Sequence, residues 1–146
     1  MTSTFGNGVS YDDPRFFAEF ARCIIEGRDI VLKSTGGSVR TYLDSDDAAA
    51  AFLYILANGK DRTVYNLTNM DNKISIRDIA SKMIEVNNSD VKLKFDIAED
   101  ITKLGFRKEG CTLIDADRLY TLGWTPVYSM ADTLSKLVEF MSSNRI

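Results

Sequence analysis

The stretch GGSVRTYLDSDD, residues 36–47, combines the signals of a turn, a strand and a helix start. Its two glycines favour a turn, and the alternation in VRTYL predicts a strand. Asp46 and Asp47 then precede an alanine-rich run, and acidic residues are favoured at the positive end of a helix. The stretch therefore predicts a strand that passes directly into a helix capped by these two aspartates.

The rest of the chain continues to mix helical and strand patterns. Predicted helices, in which apolar residues recur every three or four positions, cover residues 13–27, 46–59, 75–87, 98–105, 115–123 and 129–143. Predicted strands cover residues 29–34, 39–43, 62–69 and 90–97. Asp13 is the expected N-cap of the first helix, with Pro14 in its first turn. This order predicts a single domain, residues 1–146, of the mixed α/β (α+β) class.

The predicted helix at 47–58 is apolar on nearly every side. Four alanines, Ala48 to Ala51, are followed by Phe52, Leu53, Ile55 and Leu56. A helix with apolar residues all round is normally covered by protein on more than one side. We therefore expect this helix to expose an apolar face when the chain is by itself.

Composition excludes several classes of function. The 146 residues are 45% hydrophobic and 27% charged, which is typical of a globular protein. A net charge of −3 argues against a broad surface for nucleic acid, and no apolar run reaches membrane-spanning length. The chain has no histidine, which excludes Ser-His-Asp and Cys-His catalysis and a His-ligated metal site. Cys23 and Cys111 fit no metal or redox spacing, and we predict two reduced, buried thiols.

Several segments, in order and with nearly ungapped spacing, resemble one family. The longest is TFGNGVSYDDPRFFAEFARCIIEGRDIVLKSTGGSVRTYLDSDDAAAA, and TVYNLTN, SIRDIASKM and LIDADRLYTLGWTP follow it. Together they resemble the C-terminal part of the NAD-dependent epimerase/dehydratase family, which are extended short-chain dehydrogenase/reductases that act on nucleotide sugars. The resemblance covers essentially the whole chain. It implies the substrate-binding part of such an enzyme.

Two elements of the family do not occur in this sequence. One is the Gly-x-x-Gly-x-x-Gly dinucleotide loop, and the other is the Tyr-x-x-x-Lys pair that carries out proton and hydride chemistry. The resemblance thus implies that most of the Rossmann domain is missing, that NAD(P) belongs to the complete enzyme, and that this part alone binds no cofactor. We expect it to be inactive alone. Its expected protein partner is the missing N-terminal half, or a second copy bound through helix 47–58.

The resemblance gives Arg40 a specific role. The matching arginine of the family contacts the diphosphate of the sugar nucleotide, and a guanidinium can donate to two phosphate oxygens at once. Gly36 and Gly37 let the backbone approach a ligand closely. A solvated arginine on a surface strand is the alternative, and the sequence leaves it open.

Three other candidate substrate-binding residues flank the same stretch. Leu32 and Lys33 match a Val-Tyr pair that lies near the nucleotide base in the family. Lys33 replaces the aromatic ring, which places base stacking there in doubt. Ser38 stands where glutamine is common, which is a second departure from the family pattern.

Two further arginines complete the candidate set. Arg15 matches an arginine that lies beside the substrate in related decarboxylases and dehydratases. Many members also carry a phosphate-binding arginine at the position of Cys111, and Arg107 is nearby but displaced from it. No catalytic, cofactor-binding or metal-binding residue is assigned in this chain.

The sequence leaves three functional interpretations open. The first is the sugar-nucleotide-binding part of an NAD-dependent epimerase, dehydratase or decarboxylase, hence of an isomerase or a lyase. The second is a non-enzymatic relic or interaction module with the same fold, which the departures at Lys33, Ser38 and Cys111 favour. The third is an unrelated small α/β domain. The first implies a nucleotide-diphosphate sugar as the ligand and a role in polysaccharide precursor biosynthesis. The acidic charge and the lack of an export signal lead us to expect a cytoplasmic protein, and charge and hydropathy lead us to expect no nucleic-acid or membrane partner.

Overall fold

The computed structural model describes residues 1–97 and 110–145. Its helices are α1 (Phe16–Glu26), α2 (Ser45–Asn58), α3 (Ile76–Val86), α4 (Asp117–Leu122) and α5 (Met130–Ser143). Its strands are β1 (Ser3–Phe5), β2 (Ile30–Leu32), β3 (Val39–Asp44), β4 (Asn69–Ser75), β5 (Leu93–Phe95) and β6 (Cys111–Thr112). The predicted helix at 98–105 lies outside the described residues.

The strands form two sheets that mix parallel and antiparallel pairing. In the larger sheet, β3 pairs in parallel with β1 and β6 and antiparallel with β4. In the smaller sheet, β2 pairs in parallel with β5. The helices α1, α2 and α3 each lie between two strands along the chain, so the predicted mixed α/β class is confirmed.

The larger hydrophobic core lies where α1, α3 and α5 pack on one another and on the sheets. Phe5 of β1 stacks on Phe17 of α1 with ring centroids 4.6 Å apart, and the Tyr42 ring packs edge-on against Phe5. A second, smaller cluster joins α2 and α4 through Leu43, Ala51, Leu119 and Trp124. The chain therefore buries its apolar residues in two adjoining places.

The amphipathic helices begin and end close to their predicted bounds. The helix α1 begins at Phe16, because Asp13 does not cap it: the Asp13 carboxylate accepts instead from the backbone N–H and the guanidinium of Arg15. Gly27 ends α1 in the left-handed conformation, with φ 67°. Ser75 caps α3, and Ser129 and Asp132 form a reciprocal capping box at α5.

The helix α2 begins differently from the prediction. Its N-cap is Asp44, whose carboxylate accepts from the backbone N–H of Asp46 at 2.8 Å. The predicted caps are therefore wrong, because Asp46 and Asp47 already lie inside the first turn. Their carboxylates point to other parts of the fold, as described below.

The predicted strand at 62–69 is also wrong. Residues 63–68 are not a strand, and the extended segment begins only at Asn69, where β4 pairs with β3. The apolar alternation in TVYNL predicts a strand. A strand forms, however, only where a neighbouring strand supplies backbone hydrogen-bond partners. Here β3 forms those hydrogen bonds with the polar segment NMDNKIS.

Two other expectations about exposure can be compared with the structure. Cys23 is buried and Cys111 is exposed, so the prediction of two buried thiols is wrong for Cys111, which lies on the short strand β6. The apolar face expected on α2 is present: Phe52, Leu53 and Leu56 are 56%, 69% and 84% exposed. Within the described ranges, no helix is long and apolar enough to cross a membrane.

Candidate functional site

The loop between β2 and β3 is held against the start of α3. The Gly36 carbonyl accepts from the backbone N–H of Arg77 at 3.0 Å, and the Ser38 carbonyl accepts from that of Ile76 at 3.3 Å. Gly36 has φ 67°, and a Cβ there would lie 3.0 Å from the Arg77 backbone nitrogen and from a methyl carbon of Leu32. Glycine is therefore required at this point by both conformation and space.

Arg40 lies on β3 directly beyond this loop, and its side chain is exposed. Its neighbours across the sheet are Ile74 of β4 and Thr112 of β6. Within residues 1–97 and 110–145, the guanidinium of Arg40 has no hydrogen-bond or ion-pair partner. Five donors in a fixed planar geometry therefore remain available for an anion.

Arg40 also acts on the buried Tyr42 beneath it. Burial raises the pKa of the Tyr42 phenol, and the positive charge of Arg40 partly opposes that rise. The Tyr42 hydroxyl is buried, and it has no hydrogen-bond partner among the residues that the structure describes. The structure therefore gives Tyr42 a place in the core.

Leu32 and Lys33 differ in their surroundings. The Leu32 side chain packs in the larger core, and its carbonyl accepts from the backbone N–H of Asp96 at 2.9 Å. Lys33 is exposed and forms an ion pair with the Asp96 carboxylate. An exposed pair of this kind contributes little to stability, so a ligand anion can compete with Asp96 for Lys33.

Arg15 is occupied by neighbours of its own. Its guanidinium bonds to the Asp13 carboxylate at 2.5 Å and lies 4.6 Å from the centroid of the Phe17 ring. The hydrogen bond from Arg15 lowers the pKa of Asp13, and the same bond raises the pKa of Arg15. These contacts belong to the turn before α1, whereas the other described candidates lie at the β2–β3 loop. Arg107 lies outside the described residues.

Lys33, Ser38 and Arg40 belong to the β2–β3 loop or to the strand that follows it, and this loop contacts a cationic residue that the sequence interpretation missed. Arg77 stands directly after Ile76 at the start of α3, and its backbone contacts Gly36. No local pattern distinguishes it from a solvated residue in a first helical turn. Only the long-range contact with the glycine loop reveals its position.

Two cations at the β2–β3 loop and the start of β3, Lys33 and Arg40, are exposed. No group of His, Cys, Asp and Glu in the described part of the chain could hold a metal ion. The arrangement offers fixed positive charge beside a glycine turn, which suits the binding of an anion.

The Gly6 turn does not fit the diphosphate of a dinucleotide. The glycine turn after β1 is closed, since a Cβ on Gly6 would lie 2.8 Å from the Ser45 hydroxyl and 3.1 Å from the Asp44 carboxylate. Asn7 donates to Asp46, and the Ser45 hydroxyl donates to the Asn7 carbonyl. This turn is therefore filled by the start of α2 and leaves no space for a diphosphate.

Comparisons with known proteins place these features in context. The model of the NAD dependent epimerase/dehydratase family matches residues 1–68, a range that includes the β2–β3 loop and Arg40. GDP-L-fucose synthase 1 of Arabidopsis thaliana is 29% identical over 133 residues, which are 90% of this chain and 39% of the relative. The chain thus spans about two-fifths of the length of this curated relative.

Solved structures share the fold. A UDP-glucose 4-epimerase from Thermotoga maritima, determined with UDP-glucose, superposes with a TM-score of 0.78 at 20% identity. The match covers 97% of this chain and 44% of the epimerase. RMD from Pseudomonas aeruginosa, determined with NADPH, gives a TM-score of 0.78 at 19% identity, over 98% of this chain and 47% of that protein. These neighbours are extended short-chain dehydrogenase/reductases, and the fold of this chain corresponds to less than half of each.

Proposed function

We propose that this chain is the sugar-nucleotide-binding, C-terminal part of an NAD-dependent epimerase/dehydratase, and that Arg40 binds the diphosphate of its ligand. The observation that carries this proposal is the exposed guanidinium of Arg40, which has no partner among the described residues, close to the Gly36 turn and within the residues that match the family model. Lys33 and Arg77 lie at the same turn, and their charges are paired with Asp96 and Asp78 across exposed ion pairs. Arg15 is the weakest member of the proposed set, because its charge is already paired with Asp13.

Two parts of such an enzyme, the catalytic pair and the dinucleotide loop, do not occur in this sequence. The sequence contains neither the Tyr-x-x-x-Lys pattern nor the dinucleotide loop, and the turn at Gly6 is filled. We therefore propose that NAD(P) and the catalytic residues come from a separate nucleotide-binding half, and that the chain is inactive alone. Epimerisation, dehydration or decarboxylation would then be decided by residues of that half. A cytoplasmic location and a role in polysaccharide precursor synthesis are part of the same proposal.

Titration calorimetry with UDP-glucose and dTDP-glucose tests the role of Arg40. Losing one charged contact to phosphate should weaken binding about 10- to 100-fold in Arg40→Ala, or roughly 1.5–3 kcal/mol. Arg28→Ala is the matched control, because Arg28 is an exposed arginine that pairs with Glu26 at the end of α1. Equal affinity in Arg40→Ala and in the unchanged chain would contradict the proposal.

If neither the unchanged chain nor Arg40→Ala binds a sugar nucleotide, a second experiment decides. The chain is then fused to the glycine-loop half of a relative, and the titration is repeated with the fusion. Binding restored by the fusion, and weakened by Arg40→Ala, supports the proposal. If the fusion also binds neither sugar nucleotide, the second candidate gains, namely a non-enzymatic module. The pairing of Arg15 with Asp13 and of Lys33 with Asp96 is the observation that favours that candidate.

The exposed face of α2 is where we propose that the separate half binds. Phe52, Leu53 and Leu56 lie on the outer part of this helix, and each is more than half exposed. We expect the chain by itself to cover this face by self-association. In light scattering, the unchanged chain should be oligomeric, and the double variant Leu53→Glu, Leu56→Glu should be a monomer.

Val127→Glu is the control for this measurement. Val127 is 80% exposed and apolar, but it lies in the segment before α5 rather than on α2. This variant should associate as the unchanged chain does. A monomeric unchanged chain that binds no apolar dye would overturn the expected self-association.

A further inference from the structure

A second cationic site lies away from the β2–β3 loop, beside the smaller hydrophobic cluster. A cavity of about 510 Å³ opens between the turn that follows α2 and the helix α4. Three cations line it: Lys60, Arg62 and Arg118. Its volume falls within the range of small-molecule sites in proteins.

The charges around this cavity are unbalanced. The residues that line it include no aspartate or glutamate. Among the described residues, the side chains of Lys60 and Arg62 have no hydrogen-bond or ion-pair partner. Arg118 donates to the Val64 carbonyl at 2.8 Å, which fixes that guanidinium at the edge of the cavity. Arg118 also lines a neighbouring cavity that contains Asp115 and Asp117, whereas the cations of this cavity have no carboxylate among its lining residues and would attract an anion.

The backbone conformation of Arg62 is a second feature typical of a binding site. Lys60 to Thr63 form a turn, in which the Thr63 N–H donates to the Lys60 carbonyl at 3.3 Å. Arg62 stands in this turn with φ 57°, a left-handed conformation that glycine or asparagine adopts far more readily. Residues held in such conformations cluster at ligand sites. This conformation occurs at the same turn that places Arg62 in the lining of the cavity.

Neutral donors complete the arrangement. The Tyr65 hydroxyl accepts a hydrogen bond from the Lys60 backbone N–H at 3.1 Å, which leaves its own O–H available to donate. Thr121 of α4 also lines the cavity. Phosphate oxygens accept such bonds, and arginines bind them in a bidentate manner.

We propose that this cavity binds a small phosphate-bearing molecule, with Arg62 and Arg118 as the phosphate ligands and Tyr65 as a neutral donor. The site shares no residue with the proposed sugar-nucleotide surface, because that surface lies on the β2–β3 loop and at the start of α3. Occupancy of one site can therefore be tested without the other.

Backbone NMR titration of the chain with inorganic pyrophosphate is the test. Saturable shifts are expected in the amide signals of residues 60–65 and 118–121. Arg62→Gly should raise the Kd at least tenfold, while its thermal midpoint stays equal or rises, because glycine tolerates φ 57°. Arg28→Gln, at the end of α1, should leave the Kd unchanged.

Two further measurements distinguish this site from the proposed Arg40 surface and from nonspecific binding of phosphate to exposed lysines. Titration with UDP-glucose in Arg40→Ala should still move the signals of residues 60–65, since Arg40 is not part of this site. A pyrophosphate Kd that is the same in Arg62→Gly would overturn the proposal. Shifts that are equally large at the exposed residues Lys92 and Lys94 would also overturn it, because they would indicate only general screening of positive charge.

Discussion

Replacing Lys136 with methionine is expected to lower the free energy of unfolding by about 3 kcal/mol. The Lys136 ammonium on α5 lies 2.6 Å from an Asp46 oxygen and 3.1 Å from an Asp44 oxygen, and it stacks over the Tyr128 ring. Asp44 is fully buried. Methionine keeps the length of the side chain but leaves the buried carboxylate without its counter-charge.

Chemical denaturation measures this loss of stability. Two further variants test whether the loss comes from the ion pairs of Lys136. Lys92→Met, at an exposed lysine, should change stability by no more than about 0.5 kcal/mol. Adding Asp44→Asn to Lys136→Met should recover part of the loss, because asparagine still caps α2 and carries no charge. A loss no larger than that of Lys92→Met would show that this network does not stabilise the fold.

The direction of the Lys136 pKa shift predicts how the stability from its ion pairs with Asp44 and Asp46 depends on pH. Burial lowers the pKa of Lys136, but its hydrogen bonds to Asp46 and Asp44 outweigh burial, so the pKa lies above the usual lysine value. A raised pKa gives stability that is fully present below the lysine pKa of the unfolded chain. This stability is lost as the pH rises through the folded value. Lys136→Met should lack this alkaline decline.

Replacing Asp47 with asparagine is expected to lower the free energy of unfolding by about 2–4 kcal/mol. The two Asp47 oxygens accept from the backbone N–H groups of Val127 and Tyr128, each at 3.0 Å. Asp47 is 3% exposed. An asparagine would turn an NH₂ group toward one of these N–H groups and leave it without an acceptor.

Hydrogen exchange combined with denaturation reveals this change. The amides of Val127 and Tyr128 should exchange faster in Asp47→Asn, and the midpoint of unfolding should fall. Asp90→Asn, at an exposed aspartate, is the control and should change neither quantity. Unchanged exchange at both amides would mean that Asp47 does not anchor the segment before α5.

Much of the candidate site could be predicted from local sequence. The glycine pair and Arg40 lie within five residues of one another, and the structure places Gly36 in a buried turn and Arg40 at an exposed position of β3. What could not be predicted is which cations already have partners. Asp96 pairs with Lys33 across 63 residues of chain, and a separation of that size leaves no trace in a periodic pattern. Asp13 pairs with Arg15 only two residues away, but the sequence favoured Asp13 as the N-cap of α1 instead.

The sequence by itself determined the mixed α/β class and the amphipathic helices α1, α3 and α5. Their apolar spacing and the caps Gly27, Ser75 and Ser129 act within one or two helical turns, so neighbouring residues suffice to specify them. It also indicated the apolar face of α2.

The tertiary structure decided the rest. It paired the polar segment NMDNKIS with β3, made Asp44 the cap of α2, and joined Asp47 to a segment 80 residues away. It also brought the turn at Arg62 against Arg118 of α4. Each of these depends on a hydrogen-bonding group or a charge that finds its partner only after the chain has folded, and local propensity does not record such partners.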